Sequence, residues 1–303
     1  GAAAGELFHD PELLAYGRQR LQGVVEHTER HGSFNEYNSP PYVKVVIAEC
    51  ERILQLVRDE ATRNAADSLR RTAWQIIAES FHPGTQQWAG PHARTSRDRL
   101  RASTVDFLSW RVGAAIQTHP TMEAEMPRGY AVVRPLPCPE EYAASFRSPA
   151  AAGQNGDGSV ESWQIRRVVQ RGRSPQDDIA GTTWSSPTAC LGSVNRSTLW
   201  TQRKPVIGYW KTAADPAVVF RLRFLHDGRD FASMGLRCTQ QGPRILAALE
   251  PVPGQGEWHP SLDRPEDRVF RAADLRLRLE LQGVGVRAQR LSGGRFALVA
   301  GSH

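Results

Sequence analysis

The spacing of apolar residues changes at about residue 120, and this constrains the fold more than any other feature. Before that point apolar side chains recur with the helical period of 3.6; after it they alternate with the two-residue period of a strand. Val43, Val46, Ile47, Cys50, Ile53, Leu54 and Val57 form one helical stripe. Phe220, Leu222 and Phe224 alternate with Arg221 and Arg223, and Leu275, Leu277, Leu279 and Leu281 alternate with Arg276, Arg278 and Glu280. That second pattern marks antiparallel strands with one buried and one wet face. The chain therefore reads as a multidomain α+β protein. Antiparallel helical hairpins over 1–125 precede a β-sandwich over 126–303.

Local signals place the elements. Asp10-Pro11 reads as a cap followed by proline in the first helical turn, with Leu13, Leu14, Leu21, Val24 and Val25 following at helical spacing. Ser39-Pro40-Pro41 opens a second helix in the same way. A third is predicted over about 62–80, and a fourth over about 96–117 with Thr95 or Ser96 as its cap. Strands are expected near 129–135, 160–170, 205–211, 219–225, 231–240, 243–250, 274–281 and 294–300. Segment 148–158 reads as a flexible loop.

Charge is uneven. Residues 1–126 carry 14 Lys and Arg against 16 Asp and Glu, whereas residues 127–303 carry 24 against 16. A basic half suits an acidic partner. No nucleic-acid module is present and the basic residues follow strand alternation, so a nucleic-acid partner is not expected. No run of about 18 apolar residues occurs, which argues against membrane insertion. Four cysteines stand far apart without a CxxC pair, and the histidines are scattered, so no metal site and no cofactor are predicted. One or two disulfides and four free thiols are both compatible with the spacing. The opening "GAAAGELFHD" is compatible with the remainder of a cleaved signal or with an artificial addition, and a secreted or periplasmic location is the expectation. Oligomeric state is not legible.

Two loops escape the helical periods: "HGSFNEYNSPPY" at 31–42 and "HPGTQQWAGPHARTSRD" at 82–98. Each lies at a helix–helix connection, so both can reach one rim. Together they supply Glu36, Tyr37, Asn38, Tyr42, Trp88, His92, Arg94 and Arg97. Aromatic faces suit pyranose rings, amide and carboxylate groups suit hydroxyls, and arginine suits a carboxylate in forked geometry. His92 and the tyrosines can exchange protons. Each residue alone also has an ordinary explanation: Tyr37 and Trp88 as core plugs, Arg97 with Asp98 as a surface pair, and His92 as a structural histidine. In the β half, the long and poorly alternating stretch 181–210 adds Asn195, Trp200, Gln202, Arg203 and Tyr209 as ligand-facing candidates. No GxSxG, P-loop, HExxH or GxGxxG followed by a helix is present.

The stretches "FNEYNSPPY", "QWAGPHARTSRD" and "LGSVNRSTLWTQRKPVIGYW", set in a helical part followed by a β part, resemble the (α/α)-toroid plus β-sandwich proteins related to heparinase II/III and alginate lyases. The similarity is architectural over most of the chain and local in these stretches, with only part of a toroid visible. It implies a carbohydrate-active lyase that cleaves a uronic-acid polysaccharide by β-elimination. In that reading Asn38 and Arg94 neutralise the uronate carboxylate, Tyr42 or Tyr37 and His92 move the proton, and Trp88 is a sugar platform. Glu36, Arg97, Asn195, Trp200 and Tyr209 complete the binding set. A glycoside hydrolase using Glu36 and a non-catalytic glycan-binding protein are the alternatives.

Overall fold

The computed structural model describes residues 1–122, 134–147, 162–252 and 269–300. Its helices lie in the N-terminal part and its antiparallel strands in the C-terminal part, as the change of period predicts. Helix α1 (Ala2–Leu7) packs on α2 (Pro11–His31), followed by α3 (Pro40–Leu56), α4 (Glu60–Ser80), a two-strand pair β1 (Phe81–His82) and β2 (Gln87–Trp88), and α5 (Ala102–Val112). The Asp10 carboxylate caps α2 by accepting from the Leu13 N–H, as Asp10-Pro11 predicts. Gly32 ends α2 in the left-handed conformation at φ 75°.

Three elements depart from the sequence reading. Helix α5 starts at Ala102, not near 96, and neither Thr95 nor Ser96 caps it. Residues 95–100 instead form an irregular, bent segment held to the strand part: the Thr95 N–H donates to the Gln202 carbonyl, and Arg99 donates to the carbonyls of Ala217 and Gln282. Ser39 stands at the cap position of α3, but its hydroxyl donates to the Arg94 carbonyl. Residues 134–147, expected in the strand part, pack on the helical core through α6 (Glu140–Ala143), with Phe146 edge-on to Trp74. The strand expected near 129–135 falls mostly on residues 123–133, outside the described residues, as does the loop at 148–158.

The helical core gathers Ile47, Leu69, Trp74, Ile76, Ile77, Leu108 and Trp88. Inside it the Glu51 carboxylate takes two bonds from Arg111 at 3.0 and 2.7 Å. A buried carboxylate is tolerable only with such a partner.

The strands are β3 (Trp163–Gln170), β4 (Ile179–Ser185), β5 (Ala189–Val194), β6 (Arg196–Thr198), β7 (Val206–Trp210), β8 (Val218–His226), β9 (Arg229–Asp230), β10 (Met234–Gln241), β11 (Arg244–Pro251), β12 (Leu275–Gln282), β13 (Val286–Arg290) and β14 (Phe296–Ala300). The main sheet runs β12-β8-β7-β5-β4-β3, with β9 beside β8; a second sheet runs β11-β10-β6. Leu222 lies opposite Leu279 and Arg223 opposite Arg278, so Phe220, Leu222 and Phe224 share a face with Leu281, Leu279 and Leu277. The β8 side chains and Leu191 meet Leu236, Ile245 and Leu249 of the second sheet. Leu275, Leu277 and Leu279 do not: they are 54, 52 and 47% exposed, so the buried face expected for β12 is not formed among the described residues, because β12 is the edge strand and lies beyond that contact. The opposite face of the main sheet carries Cys190, Ile207, Tyr209 and Val219 and packs on Ala89 of the helical part. Strands β4, β5 and β7 are thus covered on both faces. Their residues need not alternate in polarity, so stretch 181–210 looked irregular in sequence. All four cysteines are free. Burial pushes the thiols of Cys50, Cys138 and Cys190 up to about 12.

Candidate functional site

Loop 90–98 fastens the helices to the main sheet. Its Ala93 N–H donates to the Tyr37 carbonyl, while His92 exchanges two backbone bonds with Lys204 at 3.1 and 3.0 Å. Gly192 lets this loop cross the sheet, because a Cβ there would lie 1.9 Å from the Gly90 carbonyl oxygen. The hydroxyl of Thr183 bonds that same oxygen at 2.6 Å.

This fastening divides the predicted residues into two groups. Asn38, Trp88, His92 and Tyr209 are buried and engaged inside the protein. The Asn38 amide donates to the carbonyls of Ala89 and Pro91 at 2.9 and 2.8 Å, and its Oδ1 accepts the Trp88 indole N–H at 2.5 Å. His92 Nδ1 bonds the Asn38 carbonyl at 2.7 Å, so that nitrogen carries the proton. Burial pushes the His92 pKa down to about 4, against the effect of that bond, and the ring is neutral at pH 7. The Tyr209 hydroxyl donates to the Asp98 carbonyl, and burial raises its pKa well above the ordinary phenol value. Asp98 does not form a surface pair with Arg97. It bonds Lys204 and Arg221 at 2.9 Å each, and these cations outweigh the effect of burial and lower its pKa.

In the second group Glu36, Tyr42 and Arg94 meet at the surface, against Trp200, which is itself buried and does not face a ligand as expected. Arg94 Nη1 lies 2.8 Å from Glu36 Oε1 and its Nε donates to Gln202 Oε1 at 2.8 Å. The guanidinium carbon lies 5.3 Å from the centre of the Tyr42 ring and 5.6 Å from that of Trp200. Two stretches far apart in sequence, 36–42 and 200–202, thus converge on the guanidinium of Arg94. Tyr37 lies on an inner cavity with Ser33 and Thr183. The Arg97 backbone closes a turn on the Thr95 hydroxyl. Asn195 bonds Ala180 and Asp178 and lines a shallow groove with Arg196 and Arg237, apart from Arg94.

Glu36 and Tyr42 also line a cleft of about 980 Å³ between α2 and α3. Its α2 wall presents Tyr16, Arg20, Glu26 and His27, and its α3 wall Tyr42, Val45 and Val46. The α2 residues were not anticipated, yet their signal is in the sequence. Tyr16, Arg20, Gly23 and His27 share one helix face at spacings of four, three and four. That face is opposite the core stripe. The His27 pKa is lowered by burial and by His31 and Arg30. Such a site presents a cation braced by two rings, two carboxylates, an imidazole and open aromatic faces to a ligand lying along α2.

A family described as a domain of unknown function (DUF8769) matches residues 2–124, the segment that holds α1–α5. No curated protein and no solved structure matches the chain. No helix among the described residues is long and apolar enough to cross a membrane.

Proposed function

We propose that the chain binds a uronate-bearing polysaccharide in the α2–α3 cleft and cleaves it by β-elimination. The observation that carries this reading is Arg94, oriented by Gln202 beside the Tyr42 and Trp200 rings and bonded to Glu36, which with Tyr42 lines the cleft. A fixed guanidinium suits a substrate carboxylate and stabilises the negative charge that grows on it when the adjacent proton leaves. Tyr42, as the phenolate formed once its phenol has lost its proton to water, takes the C5 proton; the C4–O bond breaks, C4 and C5 become doubly bonded, and the departing oxygen receives that proton from the Tyr42 hydroxyl, which returns Tyr42 to the phenolate. Tyr16 and Tyr42, 56% and 39% exposed, offer ring faces to neighbouring sugars. Asn38, Trp88 and His92 hold the loop that carries Arg94. The finer fold reading belongs with this proposal: α3 and α4, packed side by side across a short connection, support part of an α/α toroid, and the two apposed sheets support a β-sandwich.

The test is incubation with alginate, pectate, hyaluronan and heparan-type glycans while following the absorbance of unsaturated uronates. Turnover is expected on at least one, with Arg94→Gln lowering kcat by about 10²–10³-fold. Absence of unsaturated product on every substrate would sink the reading. A hydrolase reading draws support from Glu26, which lines the same cleft as Glu36 and supplies a second carboxylate. It predicts reducing ends without unsaturation, abolished in Glu26→Gln.

A further inference from the structure

Among the described residues, Gln202 and Glu36 hold Arg94 unequally. Gln202 orients the guanidinium through Nε, and the Tyr42 and Trp200 rings flank it. The Thr95 N–H bonds the Gln202 carbonyl and the Arg94 carbonyl accepts from Ser39, which anchors the peptide group that follows Arg94, and the Ala93 N–H bond to the Tyr37 carbonyl anchors the residue before it. Glu36 is held less firmly. Its side chain is 32% exposed, it borders the open cleft, and its one side-chain partner among the described residues is Arg94, through Oε1. The cation is preorganised; the anion on it is the loosely tethered member. A uronate carboxylate entering along the cleft presents the same charge and geometry as the Glu36 carboxylate.

We propose that Glu36 is a built-in competitor for the anion seat on Arg94, so that a ligand binds there only by displacing it. The ligand class rests on the glycan reading above; the masking itself does not. Displacement swings Glu36 toward the water of the cleft, and no bond other than the ion pair is lost. A half-exposed pair of this kind contributes little, so the mask tunes affinity and does not forbid binding. It also favours ligands whose carboxylate arrives with further contacts along α2 over small free anions.

The probe is D-glucuronate, with D-glucose as the neutral control, titrated by calorimetry against the unaltered chain, Glu36→Gln and Glu36→Gln/Arg94→Gln. Glutamine keeps the size of the side chain while removing its charge. Glucuronate is expected to bind the single variant about two- to fivefold more tightly, with glucose unchanged and the gain lost in the double variant. Binding of glucuronate by Glu36→Gln no tighter than by the unaltered chain, including none by either, overturns the masking. A gain that persists in the double variant overturns it too. An Arg94-dependent gain without turnover or binding of any polysaccharide leaves the masking in place and removes the glycan reading.

Discussion

Asn38 sits at φ 45°, a left-handed conformation that asparagine tolerates better than most residues. That conformation turns its amide toward the carbonyls of Ala89 and Pro91 while its own carbonyl receives His92. The sequence shows an amide beside two prolines and so suggests a ligand group. Its partners lie 50 or more residues away, which no local pattern discloses. His92 carries a prediction at the same scale. Its ordinary pKa of 6.5 falls to about 4 on folding. As pH falls below 6.5 the unfolded chain gains a proton that the native chain refuses until about pH 4. The stability is therefore full above 6.5 and is lost as pH falls through that window. The loss by pH 4 is on the order of 3 kcal/mol. His82, whose pKa burial also lowers, acts in the same direction. Urea midpoints at pH 7 and pH 5 are expected to differ less in His92→Gln than in the unaltered chain; an equal difference would refute the assignment.

At the scale of elements, two glycines that look alike in sequence behave oppositely. Gly192 in β5 lies under the Gly90 carbonyl, where a Cβ would meet oxygen at 1.9 Å. Gly23 in α2 has nothing within 4 Å of its Cβ position. Gly192→Ala is expected to cost about 3 kcal/mol, because backbone and not a flexible side chain stands in the way. Gly23→Ala should stabilise by up to about 1 kcal/mol, since alanine is the better helix former. Thermal melting of both variants checks the pair, and shifts of the same sign would contradict it. Element legibility follows the same logic. The alternation in β8 and β12 marks both as strands, but not which faces are covered: Leu275, Leu277 and Leu279 of the edge strand β12 are exposed, and Arg221 and Arg223 of β8 are partly buried in ion pairs. The α5 start was misplaced because residues 95–100 bond to the sheet instead of coiling.

At the scale of the molecule, the helices and the main sheet share one buried charge network. Asp98 bonds Lys204 and Arg221, accepts Gln282 at 2.7 Å, and Arg221 continues to Glu280. Lys204 is 3% exposed, and burial lowers its pKa while Asp98 partly restores it. Removing the carboxylate strands a buried ammonium. Asp98→Ala is therefore expected to lose about 3–5 kcal/mol and to uncouple the two parts. Far-ultraviolet circular dichroism and tryptophan fluorescence should give coincident unfolding curves for the unaltered chain and separated ones for the variant. Coincident curves in both would show that apolar packing alone couples the parts.

The sequence by itself determined the order of helices and strands, the α2 cap at Asp10-Pro11 and the register-bearing alternation of β8 and β12, because these depend on residues only a few positions apart. It also singled out the two loops whose residues meet the sheet. Only the tertiary structure decided which of those residues face water. Burial depends on what arrives from elsewhere in the chain. Loop 90–98, crossing at Gly192, covers Asn38 and Trp88, buries its own His92, and leaves Arg94 partly exposed beside Glu36 and Tyr42, which line a cleft. The far wall of that cleft, on α2, is built by side chains that carry no motif until the helices are packed.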